Sequence, residues 1–143
     1  MGQARDAIDQ WWSLFAADRL ANTAAICQPD IDVMLPGGMR LRGMAEVVPV
    51  LQAFRDAFPN IRHDIVDTVE AGDKIAVELA VNVTQSGSLR TQKGDIPATG
   101  RTIVWDSVDV VTIRDGKIAS WHTYFDQMAF LAQLGLLPEP ALA

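Results

Sequence analysis

Thr102-Ile103-Val104-Trp105-Asp106-Ser107-Val108-Asp109-Val110-Val111-Thr112-Ile113-Arg114, then Asp115-Gly116, then Lys117-Ile118-Ala119-Ser120-Trp121-His122-Thr123-Tyr124-Phe125, is the stretch on which the fold turns. Both runs alternate with a period of two and are rich in β-branched and aromatic residues. Asp-Gly between two such runs is a tight-hairpin signal. The stretch therefore predicts antiparallel strands over 102–114 and 117–125. Alternation also assigns faces: Trp105, Ser107, Asp109, Val111 and Ile113 share one, and Val104, Asp106, Val108, Val110 and Thr112 the other. The first face reads as buried, yet it carries a carboxylate that packing alone does not need. Such a carboxyl is paired, hydrated in a cavity, or held protonated with a raised pKa, and each arrangement is a way of building an acid/base site.

Working outward, 61–70 and 74–86 alternate as two further strands linked by Ala71-Gly72-Asp73, and Pro59-Asn60 separates them from a helix over Met44 to Phe58. That helix presents Val47, Val48, Leu51, Phe54 and Phe58 on one side, and Pro49, which suits only a first turn, moves its expected start toward Glu46. Earlier still, Ile31 to Leu35 reads as a short strand between Pro29-Asp30 and Pro36-Gly37-Gly38, preceded by a short helix over Leu20 to Cys27. Gln3 to Ala17 is an amphipathic helix carrying Ala4, Ala7, Ile8, Trp11, Trp12, Leu14 and Phe15, with Asp18-Arg19 after it. A short helix over Met128 to Leu134 and a tail over Leu136 to Ala143 close the chain. The expected fold is one α+β domain over 1–143, a cone-shaped barrel with three N-terminal helices on a curved, mostly antiparallel sheet and a short C-terminal helix. A cone too wide to fill with side chains is a ligand pocket.

Composition narrows the function. A length of 143 residues with 49% hydrophobic and 21% charged residues suits a single core. The net charge of −6, with twelve Lys and Arg spread along the chain, argues against a nucleic-acid partner. No run reaches the roughly 18 apolar residues of a membrane span, and the amino terminus lacks the order of a signal peptide, so a soluble, cytoplasmic protein without a membrane partner is expected. One cysteine, Cys27, and two histidines, His63 and His122, supply neither an internal disulfide nor a metal-ligand cluster, so no metal or other cofactor is expected.

Ile96-Pro97-Ala98-Thr99-Gly100-Arg101, Val108-Asp109-Val110, Asp115-Gly116-Lys117-Ile118, Trp121-His122-Thr123-Tyr124-Phe125-Asp126 and Gln133-Leu134-Gly135 together resemble the SnoaL-like polyketide cyclases. That family sits in the nuclear transport factor 2-like superfamily of cone-shaped barrels, with ketosteroid isomerases and limonene-epoxide hydrolases. The resemblance implies that Asp109 occupies the position of the protonated oxyanion-hole Asp of ketosteroid isomerases and of a cyclase His. It also implies departures. Thr123 stands where cyclases and epoxide hydrolases carry a catalytic Asp, Leu35 at the isomerase base, Trp11 at the isomerase oxyanion-hole Tyr, and Leu79 and Val81 where the hydrolases have Arg and Asp. A Thr hydroxyl is no base near neutrality, so any chemistry is rebuilt on other residues.

Asp109, His63 and Asp32 are the catalytic candidates: Asp32 because it shares a face with Met34 taken as inward, His63 because it opens a strand after Pro59-Asn60. Each has a structural alternative: an Asp109 paired with Arg101 or Arg40, an Asp32 shaping a turn, a hydrogen-bonded His63. Trp11, Phe15, Met34, Phe54, Leu79, Val81, Trp105, Trp121 and Thr123 are the expected walls of a site for a small hydrophobic molecule, with Trp12 expected only to anchor its helix. The outer sheet face, with Ala76, Ala80, Val108, Val110 and Tyr124, is apolar enough to predict a homodimer. The expected activity is cofactor-free acid/base work on a carbonyl compound, with aldol cyclisation of a polyketide implied by the resemblance. A ketosteroid isomerase-like isomerase, an epoxide hydrolase and a non-catalytic binder are the alternatives.

Overall fold

The computed structural model describes residues 3–17, 19–91 and 94–136; Asp18 and most of the expected tail lie outside them. Helix α1 (Gln3–Ala16) buries Ala4, Ala7, Ile8, Trp11 and Phe15, the stripe that three-and-four spacing dictates. The next segment, Leu20–Ile26, is a 3₁₀ helix where an α-helix was expected. Thr23 Oγ1 donates to the carbonyl of Leu20 three residues back, a local bond that suits the tighter winding.

Strand β1 (Cys27–Leu35) starts four residues before the expected Ile31 and runs through Pro29-Asp30. The proline is tolerated because pairing with the neighbouring strand is irregular between Cys27 and Asp32. A turn through Gly37 and Gly38 leads into β2 (Met39–Arg42), a strand not expected from the sequence. Helix α2 (Met44–Ala57) starts ahead of the expected Glu46. Gly43, at φ +81°, sets its entry, and Glu46 Oε1 accepts from the Arg42 N–H at 2.7 Å. Pro49 thus lies past the first turn, and the N–H it lacks would have bonded the carbonyl of Ala45, which is exposed to water.

The remaining elements are β3 (Arg62–Ala71), β4 (Lys74–Thr84), the small hairpin β5 (Leu89–Thr91) and β6 (Gly94–Ile96), β7 (Thr102–Arg114), β8 (Lys117–Phe125) and α3 (Gln127–Gln133). Between β7 and β8, Asp115 and Gly116 both have positive φ, 53° and 78°, the geometry that Asp-Gly hairpins require. Six strands form one sheet in the order β2-β1-β8-β7-β4-β3, with β1 and β8 parallel and every other pair antiparallel. The sheet is open, with β2 and β3 as its edges, so the expected barrel is not closed by hydrogen bonds.

The inner face is what positions the site. Ile75, Val77, Leu79, Val81 and Val83 of β4 and Ile103, Trp105, Val111 and Ile113 of β7 are buried there, each stabilising the fold by about 1.5–3 kcal/mol for a full side chain. Two polar devices tie down the irregular parts. Buried Gln85 accepts from the Thr99 N–H at 3.2 Å and hydroxyl at 2.7 Å and donates to the Pro97 and Gly87 carbonyls at 3.1 and 3.2 Å. Strand β8 ends at Phe125, opposite Ser107, and beyond it Gln133 of α3 takes over: its side-chain amide donates to the Val104 carbonyl at 2.8 Å and accepts from the Val104 N–H at 3.0 Å.

Candidate active site

A cavity of ≈ 240 Å³ lies between the inner sheet face and the helices. Two aromatic groups form its flanks. On the α1 side, Trp12 stacks on His63 with centroids 3.8 Å apart, and Trp121 touches Trp11 at 5.0 Å and Trp12 at 5.5 Å. On the α2 and α3 side, Trp105 meets Phe130 at 5.0 Å and Phe125 at 5.6 Å, with Phe54 at 6.5 Å. Val33, Leu35, Leu51, Leu79 and Val81 complete largely apolar walls, with Phe15 at the α1 end.

Few polar side chains line this chamber: His63, Arg90, Ser107, Asp109, Thr123 and Gln127. Asp109 is 1% exposed and sits mid-sheet, opposite Val77 on β4 and Thr123 on β8. Burial pushes its pKa from 3.8 up to about 7, while the Thr123 hydroxyl and Trp121 indole N–H pull the other way. None of the ion pairs among the described residues involves Asp109, and its Oδ1 has no hydrogen-bond partner among them. The expected alternative of a pairing with Arg101 is not seen; the Arg101 guanidinium donates to the Gln133 carbonyl. Near neutrality the carboxyl is available in both protonation states, as a donor or as a base.

His63 is drawn the other way. Burial lowers its pKa from 6.5 to about 4, with Asp64 opposing, so its imidazole is neutral at pH 7. Register places His63 opposite Val81, and Val81 opposite Trp105, so Asp109 lies two strands across and four residues along from it. On a flat sheet that offset is about 10 Å across and about 13 Å along, too far for direct proton exchange and suited to a ligand lying between the two groups.

The structure corrects two of the nominated residues. Asp32 and Met34 do not face the cavity: Ile31 and Val33 fill the core, and the period of two sends Asp32 and Met34 to the outer face. There Asp32 Oδ2 lies 3.1 Å from His122 Nε2. Trp12, expected only as an anchor, lines the cavity. Trp11, Phe15, Phe54, Leu79, Val81, Trp105, Trp121 and Thr123 all line it, as do Leu89 and Arg90 of β5, Met39 of β2 and Gln127 of α3, which sequence reasoning missed. Strands of three or four residues are too short to show a period, so nothing in the sequence marked the β5 and β2 contributions.

An open mixed α+β sheet enclosing an apolar chamber around one buried carboxyl defines a class of small-molecule site. The chain belongs to the SnoaL-like polyketide cyclase family, whose model matches residues 3–134. Among solved structures it is similar to a protein from Jannaschia sp. CCS1 designated a SnoaL-like polyketide cyclase (TM-score 0.83, 14% identity, covering 95% of this chain and 94% of that one). It is also similar to IdmH of Streptomyces antibioticus, designated a polyketide cyclase (TM-score 0.76, 26% identity, 94% and 99% covered), and to TerC, crystallised with polyporic acid (TM-score 0.74, 22% identity, 94% and 99% covered). No curated protein matches the chain.

Proposed function

We propose that the cavity carries out cofactor-independent acid/base chemistry on a small hydrophobic carbonyl compound, with Asp109 as the group that moves the proton. The observation that carries this reading is a carboxyl buried in an apolar chamber and pushed up to about 7. Ring closure of aldol type is the reaction that family membership suggests. A C–H proton next to one carbonyl passes to the Asp109 carboxylate, and the enolate carbon forms a C–C bond to a second carbonyl carbon. The oxygen of that second carbonyl then takes the proton back from Asp109. A group that ionises near the working pH is suited to both transfers. Neutral His63 serves at the far end of the ligand as a hydrogen-bonding partner, and Thr123, beside Asp109, as a donor to the developing oxyanion. TerC, which shares the fold, was crystallised with polyporic acid, which supports a small-molecule ligand.

The limonene-epoxide hydrolase alternative finds no support, because Leu79 and Val81 are apolar wall residues. A non-catalytic small-molecule binder is the second reading, favoured by Thr123 standing where the resemblance places a catalytic Asp. Asp109→Asn separates the two. In the enzymatic reading it removes turnover of a dicarbonyl substrate and keeps the fold, seen as a cooperative thermal transition; wild-type turnover by that variant overturns the role of Asp109.

The same reading includes a homodimer. Val104, Val108 and Tyr124 are exposed on the outer sheet face, with Ala76, Ala80 and Val110 among them and Glu78 and Asp106 interleaved, a mixed surface whose apolar residues suit a second copy of the chain.

A further inference from the structure

The outer sheet face has its charges sorted by side. In the strand order β2-β1-β8-β7-β4-β3, the two middle strands present Val108, Val110 and Tyr124. On the β2 side, exposed Arg40 and Arg42 pair with Met34 and Asp32 of β1 and share their outward face. On the β3 side, Asp64, Asp67 and Glu78 outnumber Arg62 and Lys74, and Arg62 is already bonded to Asp64 at 3.1 Å. None of the ion pairs among the described residues involves Arg40, Arg42, Asp67, Lys74 or Glu78. Strand register also lines up two rows across the sheet. Asp32, Ser120, Thr112 and Lys74 make one, and Met34, His122, Val110 and Ala76 the next.

Two copies packed face to face are related by a twofold axis in the plane between them. An axis across the strands lays each strand along its own copy and sets the two arginines of β2 near those of the partner, a like-charge arrangement that opposes association. An axis along the strands reverses each row instead. We infer that the homodimer axis runs along the strands, between β7 and β8, so that Asp32 of each copy faces Lys74 of the partner subunit. Ser120 then faces Thr112, Met34 faces Ala76 and His122 faces Val110, so charged, hydroxyl and apolar groups are each matched across the interface. Strands β1 and β4 lie about 7 Å from this axis, and the roughly 30° crossing of aligned sheets shifts them by only about 4 Å along their length, within reach of a lysine side chain. Within one chain the same two residues stand three strand spacings apart, about 14 Å, too far to pair. The inference rests on the dimer reading and is independent of the chemistry in the chamber.

The test is charge exchange, followed by sedimentation of the full chain at several concentrations, with melting curves to show that each variant folds. Asp32→Lys and Lys74→Asp each oppose like charges twice per dimer and should each weaken dimerisation about tenfold. An equimolar mixture of the two variants should recover near wild-type association, because both contacts of the mixed dimer are again of opposite sign. Should Asp32→Lys fail to fold for want of its bond to His122, Lys74→Asp at the exposed end of β4 still reads the contact by itself. Dimers untouched by Lys74→Asp, or a mixture of folded variants that associates no better than either alone, overturn this axis and leave the homodimer standing. A wild type that is monomeric at every concentration overturns both.

Discussion

Two titratable side chains in the chamber pull stability in opposite directions. Asp109 has a folded pKa raised from 3.8 to about 7, so the native state holds its proton more tightly than the unfolded chain. Its contribution is fully present below about pH 4 and is lost as pH rises to about 7. His63 is lowered from 6.5 to about 4, so its contribution is present above pH 6.5 and is lost as pH falls toward 4. Across most of that range the two slopes oppose each other. Thermal melting of the wild type should therefore vary little with pH between about 4 and 6.5; Asp109→Asn should melt higher as pH rises through that range, and His63→Phe lower. Parallel profiles for the two variants would contradict this account. Asp109 was legible in the sequence because a carboxylate interrupts an apolar alternation. Asp32 was misread because a five-residue strand after a proline fixes its facing poorly, and one residue of error exchanges the faces.

Elements differed in how plainly they were written. Strands β7 and β8 have the bounds their alternation predicts, and the Asp-Gly turn between them has the expected left-handed geometry. Strands β2 and β5, by contrast, owe their conformation to neighbours: β2 to pairing with β1, and β5 to pairing with β6 and packing on α2. The approach to β5 is set by a close contact that only glycine permits. A Cβ on Gly87 would come within 2.3 Å of the Asp56 carbonyl oxygen, and the Gly87 N–H bonds the Ala57 carbonyl at 3.1 Å. Gly87→Ala should destabilise the fold by about 1–3 kcal/mol in denaturant titration and weaken ligand binding, because Leu89 and Arg90 follow it into the cavity wall. Unchanged stability would show that the segment is free to move aside.

At the scale of the molecule, the α+β class, the hairpin and the covered inner face follow from pattern, whereas the chamber depends on volumes that no period encodes. Whether Trp12 packs or lines a cavity is decided by how α1 settles against β3 and β8, a sum over many contacts. The outer face yields a separate expectation. Val108→Glu, which sets a like charge opposite Glu78 and beside Asp106 on this face, should convert a dimer to a monomer in sedimentation while leaving ligand affinity unchanged; a wild type that sediments as a monomer ends the dimer proposal. Gln133 has a different consequence. By bonding both backbone groups of Val104, its amide imitates one residue of a missing strand along the part of β7 that β8 leaves bare. Bare backbone of that kind recruits other chains into growing stacks. Helix α3 therefore shields this open stretch of strand edge from pairing with another chain.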